Sequence, residues 1–325
     1  MLSVALSLLV LALLGTIVAG EKDLFLIVYA GPSSAEHYEK LHKGKLYHDN
    51  FMFFLEHGLK CELDVNALYD VVITLSEYQN EMYTKLLAGY IRSSKCNSFR
   101  IVVVKNQCYD MGDVRDGLLS VDSNIYDYVV VLNCGVIGPF IPVHTQNDKY
   151  WPRYFTAALN KEVKLTGISV NCGSQPPRIP HAHIQSMLWV TDRVGYKVIS
   201  ASSALYDCAQ NWTKVNQTKI SGPEWVHLIN EYELGLSNAV ITAGYSIRAI
   251  NQYQRDLVYN KENNTLQPFN SRCVDLFWGD IATHVPISPF DFIFHKNSRG
   301  TATKEVKFYS RLSRNVSENL PPPPK

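Results

Sequence analysis

Apolar residues fall in two rhythms along this chain. Four short runs are continuously apolar: 25–29 (FLIVY), 71–75 (VVITL), 101–104 (IVVV) and 128–132 (YVVVL). Runs rich in β-branched residues, with no polar alternation, suit strands covered on both faces, as in a parallel sheet. Helix-like segments lie between them. Residues 37–55 hold the cluster FMFFL at 51–55 and close on His57-Gly58, a helix stop, and residues 78–91 form a second such segment. Strands alternating with helices predict an α/β fold whose mostly parallel central sheet carries helices on both faces.

After Gly138-Pro139 the rhythm changes. Residues 139–152 hold three prolines, end in Tyr150-Trp151 and read as a loop. Residues 163–170 read as a further strand, 173–180 (GSQPPRIP) as irregular chain and 207–222 as a polar surface loop. A helical period returns over 224–243, where Trp225, Leu228, Ile229, Tyr232, Leu236, Ala239, Val240 and Ala243 form one stripe.

The two ends and the charge add a setting. Residues 2–20 carry no charge, and Glu21, Lys22 and Asp23 end that run abruptly. It reads as a signal peptide, with small residues at Val18, Ala19 and Gly20, or as an N-terminal membrane anchor. No Lys or Arg precedes the run and a strand begins at Leu24, leaving almost no stem, which favours cleavage. Either reading places the chain in the secretory pathway, in the ER or Golgi lumen or secreted, with membrane contact only through that segment. Four N-glycosylation sequons, at Asn211, Asn216, Asn263 and Asn315, agree. In such a compartment the seven cysteines form up to three disulfides, with no C-x-x-C pattern among them and no pairing legible. The expected division is 1–20 as leader or anchor, 21–295 as one catalytic-type domain and 296–325 as a tail. That tail has seven basic and two acidic residues, ends in PPPPK and reads as solvated and disordered. A net charge of +1, from 31 basic and 30 acidic residues, gives no support for a nucleic-acid partner.

In an open parallel sheet, ligands bind outside the carboxyl ends of the strands. The four strand ends here are Ala30-Gly31-Pro32-Ser33, Ser76-Glu77, the stretch 105–112 (KNQCYDMG) and the stretch 133–139 (NCGVIGP). All four gather small and polar residues, which also suits ordinary strand-to-helix loops.

The pattern resembles glycosyltransferases of the nucleotide-sugar-binding GT-A fold, nearest to the rhamnan-synthesis-type branch and related eukaryotic proteins. Residues 105–112, followed by 115–118 (RDGL), are similar to that branch's Asn-x-Gly-x-Asp-x-Gly segment, with Asn106 and Asp110 in place and Cys108 replacing the Gly. The Asp of that segment faces the base or ribose of the donor. Residues 126–140 resemble the strand ending in Asn-Asp-Ser and then Gly-Pro. Many related enzymes carry an Asp-x-Asp metal motif there, and this chain has Asn133-Cys134-Gly135. Residues 231–247 are similar to the helix of inverting enzymes that carries a Glu-Asp pair and then Gly-Tyr. Counting back from Gly244-Tyr245 puts Glu233 at the catalytic-base position, with Tyr232 departing from the pair. The resemblance spans about residues 24–250. It implies a donor site of Ala30, Gly31, Glu77, Asn106, Asp110, Asn133 and Gly138, and acceptor contacts at His183, Gln185 and Asp192.

Helix geometry bears on Glu233 separately. At about 100° per residue, Glu233 lies about 70° from the centre of the apolar stripe and Glu231 about 130° away. A carboxylate at that border is partly desolvated, which suits a general base. A border Glu paired with a neighbouring Lys or Arg is the plainer alternative. His181 and His183 lack a third ligand for a metal, and Tyr150, Trp151 and Tyr154 suit either sugar stacking or loop anchoring.

The implied function is glycosyl transfer from a nucleotide sugar to a glycan or other hydroxyl acceptor. The alternative is a secreted carbohydrate-binding or scaffold protein on a catalytically decayed GT-A-like fold. A divalent Mn or Mg ion normally neutralises the diphosphate leaving group. Without carboxylates at residues 133–135, transfer runs on Lys or Arg instead, or the chain does not catalyse. A hydrolase on this scaffold would need a second carboxylate at glycosidase separation.

Overall fold

The computed structural model describes residues 21–32, 44–77, 80–105, 109–142, 149–171, 182–202, 229–251, 253–254, 258–260, 265–267, 276–277, 288–297 and 308–309. Asn106, Cys108, His181, the N-terminal run, the sequon asparagines and the loops at 173–180 and 207–222 lie outside these residues.

The four apolar runs become β1 (Asp23–Ala30), β2 (Ala67–Ser76), β3 (Ser98–Val104) and β4 (Tyr128–Asn133), parallel in the order β3-β2-β1-β4. Three more strands complete a seven-stranded sheet: β5 (Val163–Gly167), then, after the hairpin β6 (Val170–Asn171) and β7 (His183–Ile184), β8 (Leu188–Asp192) and β9 (Ser246–Ala249). β8 is antiparallel to both β4 and β5, and β9 is parallel to β5.

Helices α1 (Gly44–His57), α2 (Asn80–Ser93), α3 (Tyr109–Leu119), α4 (Pro152–Thr156), α5 (Arg193–Ala201) and α6 (Gly235–Thr242) lie on both faces of the sheet. Side chains alternate across a strand. Accordingly Phe25, Ile27 and Tyr29 meet Phe51 and Phe54 of α1, Leu87 of α2 and Phe155 of α4 on one face. Leu26, Val28 and Ala30 meet Val114 and Leu118 of α3, Ile199 of α5 and Val240 of α6 on the other. The expected α/β class, a mostly parallel central sheet between helices, is the one observed.

Local expectations shifted in three places. The strand expected over 163–170 stops at Gly167 and resumes as the short β6. The third strand end, expected as loop, enters α3 at Tyr109. That helix lies so close that a Cβ on Gly117 would stand 2.7 Å from Val28. The tail boundary at residue 296 falls inside the fold. Residues 288–297 form a strap across the end of β4: Ile137 and His295 exchange two backbone hydrogen bonds, and Phe140 donates to the Ile293 carbonyl at 2.6 Å. Asn297 and Asn50 exchange side-chain hydrogen bonds of 3.1 and 2.8 Å. Counting charge over thirty residues hid two that belong to this packed strap.

Cys61, just after α1, is disulfide-bonded to Cys96, between α2 and β3. Cys134 is a free, buried thiol. No described helix is long and apolar enough to cross a membrane.

Candidate functional site

Strand order reverses at β1: β2 and β3 lie on one side, β4 on the other. The crevice at the carboxyl ends of β1 and β4 is therefore the topological switch point, where open α/β sheets take ligands. Ala30 and Asn133 are register partners at its floor, and the Ala30 carbonyl accepts from the Cys134 N–H at 3.0 Å. Gly31 continues the pairing with β2, donating to the Thr74 carbonyl at 3.0 Å. A Cβ on Gly31 would stand 2.6 Å from that same oxygen, so the close approach requires glycine.

Asn133 is the junction of the site. Its Oδ1 accepts from the Gly135 N–H at 2.9 Å, and its Nδ2 donates to the Asp110 carboxylate. Asp110 lies in the first turn of α3, where the free N–H groups of a helix start favour a negative charge. Burial raises its pKa, the neighbouring charge of Glu233 raises it further, and the Asn133 hydrogen bond and the Lys296 charge oppose both.

Glu233 reaches this crevice from the far side. It lies in the π-helical turn Ile229–Leu234 that leads into α6, and its Oε1 accepts from the Ser186 N–H at 3.3 Å. The next residue, Met187, accepts from the Asn133 N–H through its carbonyl at 3.1 Å. One short backbone segment thus links Glu233 to Asn133. A π turn closes i→i+5 bonds and departs from the 100° wheel. Even so, Glu231 is exposed, Tyr232 is buried and Glu233 lies half-buried between them.

The other expected residues divide. Gln185 is buried beside this segment, accepting from the Ser169 hydroxyl at 2.5 Å, and His183 is buried in β7 opposite Asn171. Glu77 is exposed just past β2, its N–H bonded to the Val104 carbonyl. Asp192 does not belong to the site. Because β8 runs antiparallel to β4, Asp192 pairs with Tyr128 at the amino end of β4, the opposite end of the strand from Asn133. Its carboxylate caps α5 through the Gly195 N–H and holds Lys164 at 2.5 Å. Gly138 faces the strap, where a Cβ would stand 2.5 Å from the Ile293 carbonyl. Tyr150 and Trp151 are loop anchors, both buried and both donating to the Gly58 carbonyl.

Two groups near the crevice escaped the sequence reading. Asp113, one turn along α3 from Asp110, is 2% exposed and its Oδ1 finds no hydrogen-bond partner among the described residues. Burial raises its pKa strongly, with Asp110 and Asp116 adding to the effect. Lys296 arrives on the strap, whose signal was the alternation of Phe290, Phe292 and Phe294 before it.

A divalent cation does not fit this end of β4. Both ends of the Asn133 carboxamide are engaged, the Cys134 carbonyl accepts from Asn50 at 2.9 Å, and burial raises the Cys134 thiol well above its usual pKa. No group of three or more His, Cys, Asp or Glu among the described residues is placed to hold a metal. A separate cavity of about 90 Å³, lined by Phe53, Phe140, Phe290, Lys60 and Lys149 among others, touches none of Asp110, Asn133 or Glu233.

No family model matches the chain, and no curated protein matches it. Solved structures of similar course include a nucleoside-diphosphate-sugar pyrophosphorylase from Vibrio cholerae, 13% identical, covering 69% of this chain and 89% of its own at a TM-score of 0.35. Mouse xyloside xylosyltransferase 1 is 8% identical, covering 71% of this chain and 86% of its own at 0.33. A mannosyltransferase from Pyrobaculum calidifontis, in complex with GDP-Man and Mn2+, is 10% identical, covering 71% and 55% at 0.32. Likeness at these scores carries no argument about activity.

Proposed function

We propose that this protein transfers a sugar from a nucleotide-sugar donor to a hydroxyl acceptor, with inversion, in the lumen of the secretory pathway. Asp110 and Asn133 hold the nucleotide end of the donor against Ala30 and Gly31. Glu233 is the general base. His183 and Gln185 lie towards the acceptor. The supporting observation is the convergence of Asp110, Asn133 and Glu233, from three distant segments, on the switch point of the sheet.

The chemistry balances in one displacement. The acceptor oxygen attacks the anomeric carbon and forms the new glycosidic bond. The bond from that carbon to the phosphate oxygen breaks, and its electron pair leaves with the nucleoside diphosphate. Glu233 takes the acceptor's hydroxyl proton as the new bond forms. General-base assistance of this kind contributes roughly 10²- to 10⁴-fold.

The test is Glu233→Gln, which keeps shape and removes the base. Expected is a loss of transfer of about that size, with donor affinity unchanged within about twofold. Undiminished turnover would overturn the base assignment. A protein that binds glycans but neither binds nor turns over any nucleotide sugar would instead be the carbohydrate-binding scaffold.

A further inference from the structure

Eight large apolar side chains are exposed among the described residues, and six of them stand at one end of the molecule. Leu63 and Val65 lie on the chain that enters β2, Val65 being 73% exposed, and Leu68 is the second residue of that strand. Ile125, 51% exposed, lies just before β4. Val194 opens α5 where β8 ends opposite Tyr128, the first residue of β4. Leu119 ends α3, which starts beyond the carboxyl end of β3 and returns along the sheet to the chain that enters β4. All six therefore mark the amino ends of the parallel strands, opposite the crevice at their carboxyl ends. The other two lie elsewhere, Val103 near the carboxyl end of β3 and Phe308 beside Tyr309, which packs on Phe290 of the strap.

Charge does not dominate this end. Arg153 holds Asp23 and Asp64, and Arg193 holds Asp127 at 2.8 Å. The exposed residues mix both signs, Lys22, Lys60 and Lys95 with Glu21, Glu62 and Asp122. Exposed aliphatics gathered on one face mark a contact surface with protein or membrane. The chain that feeds this face points to lipid. β1 lies between β2 and β4, and its first residue, Asp23, donates its N–H to the Asn66 carbonyl at 3.2 Å, next to Val65. Only Glu21 and Lys22 separate Asp23 from the uncharged run at residues 2–20. A run of that length suits a bilayer span. Three Cα steps from Gly20 to Asp23 reach only about 11 Å.

We propose that the amino-end face of the sheet rests on a phospholipid bilayer. Residues 2–20 are its span, Leu63, Val65, Leu68 and Ile125 enter the headgroup level, and the crevice is turned to the aqueous side. Lysines at such a face lay their stems along apolar surface and keep their ammonium groups among the headgroups. The near absence of a stem then sets the domain on the membrane and does not call for cleavage. None of this depends on the chemistry of the crevice, which stays at the opposite end. A second copy of this chain docked on the same face is the competing occupant.

The experiment synthesises the full chain in the presence of phosphatidylcholine vesicles, with and without a dibrominated phosphatidylcholine whose acyl-chain bromines quench tryptophan on contact. Val65→Trp, Ile125→Trp and Glu77→Trp, the last at the crevice end, are each compared with the wild type, whose own tryptophan signal is subtracted. All three positions are exposed, so the added ring displaces no core side chain, and equal unfolding midpoints check this. The expected result is added fluorescence quenched several-fold more strongly at Val65→Trp and Ile125→Trp than at Glu77→Trp, from a chain that stays monomeric. Quenching that is equal at all three positions, or strongest at Glu77→Trp, would overturn the proposal. Unquenched Val65→Trp and Ile125→Trp in a dimeric chain would give the face to a second copy instead. Mass spectrometry of the chain made in secretory cells is expected to find residues 1–20 in place, and their removal would refute the span.

Discussion

Asp113 carries a carboxyl oxygen with no hydrogen-bond partner among the described residues, in a helix that already bears Asp110 and Asp116. Its raised pKa makes the sign of its effect definite. An unfolded chain ionises this group near pH 3.9, while the folded chain keeps it protonated to higher pH. The folded state then binds the extra proton, so stability falls as pH rises through that window. Asp113→Asn escapes this cost. The variant is expected to match the wild type near pH 3.5 and to gain on it above that, by up to about 1.4 kcal/mol per pH unit until the folded-state carboxyl ionises. Denaturant midpoints across pH 3.5–8 measure it, and a flat difference would refute the assignment. Gly31 gives the second prediction at this scale. Thr74's carbonyl and the Leu75 side chain leave no room for a methyl group. Gly31→Ala is expected to cost about 1–3 kcal/mol of stability, measured by chemical unfolding.

At the scale of elements, the strap and the disulfide bind together parts that the sheet alone leaves loose. His295 has both ring nitrogens without hydrogen-bond partners among the described residues, and burial holds its imidazole pKa down to about 4. An unfolded histidine titrates near 6.5. The unfolded chain therefore takes the extra proton between those values, and stability present above pH 6.5 is lost as pH falls towards 4, by about 3 kcal/mol. His295→Phe keeps an aromatic ring against Phe277 and Phe292 and should abolish that acid-side loss, which unfolding curves at pH 4.5 and 7 would reveal. The Cys61–Cys96 bridge spans 35 residues and pins the end of α1 to the start of β3. Closing a loop of that length restricts the unfolded chain by about 4 kcal/mol. Cys96→Ser is expected to lower stability by about 2–4 kcal/mol, read as a lower unfolding midpoint in the absence of reductant.

The whole molecule brings Asp110, Asn133 and Glu233 together where two halves of one sheet diverge. Parallel strands β1 and β4 set the floor, α3 brings Asp110 from one side, and the turn before α6 brings Glu233 from the other. A ligand in that crevice would touch elements from both ends of the chain. The matching nucleoside diphosphate at one hundred times its dissociation constant is accordingly expected to raise unfolding stability by about 2.7 kcal/mol. Thermal unfolding with and without it measures the gain, and a midpoint unmoved by every nucleotide would remove the donor site.

The apolar runs by themselves fixed the parallel half of this protein, because strands buried on both faces must be continuously apolar and few other elements are. Asp110 and Asn133 stand among the strand-end residues and Glu233 at the edge of a helical stripe, but the family resemblance is what singled them out from their neighbours. What the sequence left undecided was anything that depends on strand direction or on contacts distant along the chain. The antiparallel course of β8 sends Asp192 to the far end of the strands, although its composition is that of any buried strand. Likewise only packing shows that Lys296 belongs to a strap and not to a solvated tail. A local pattern records how well a segment suits burial, whereas its neighbours are chosen by the closure of the whole core.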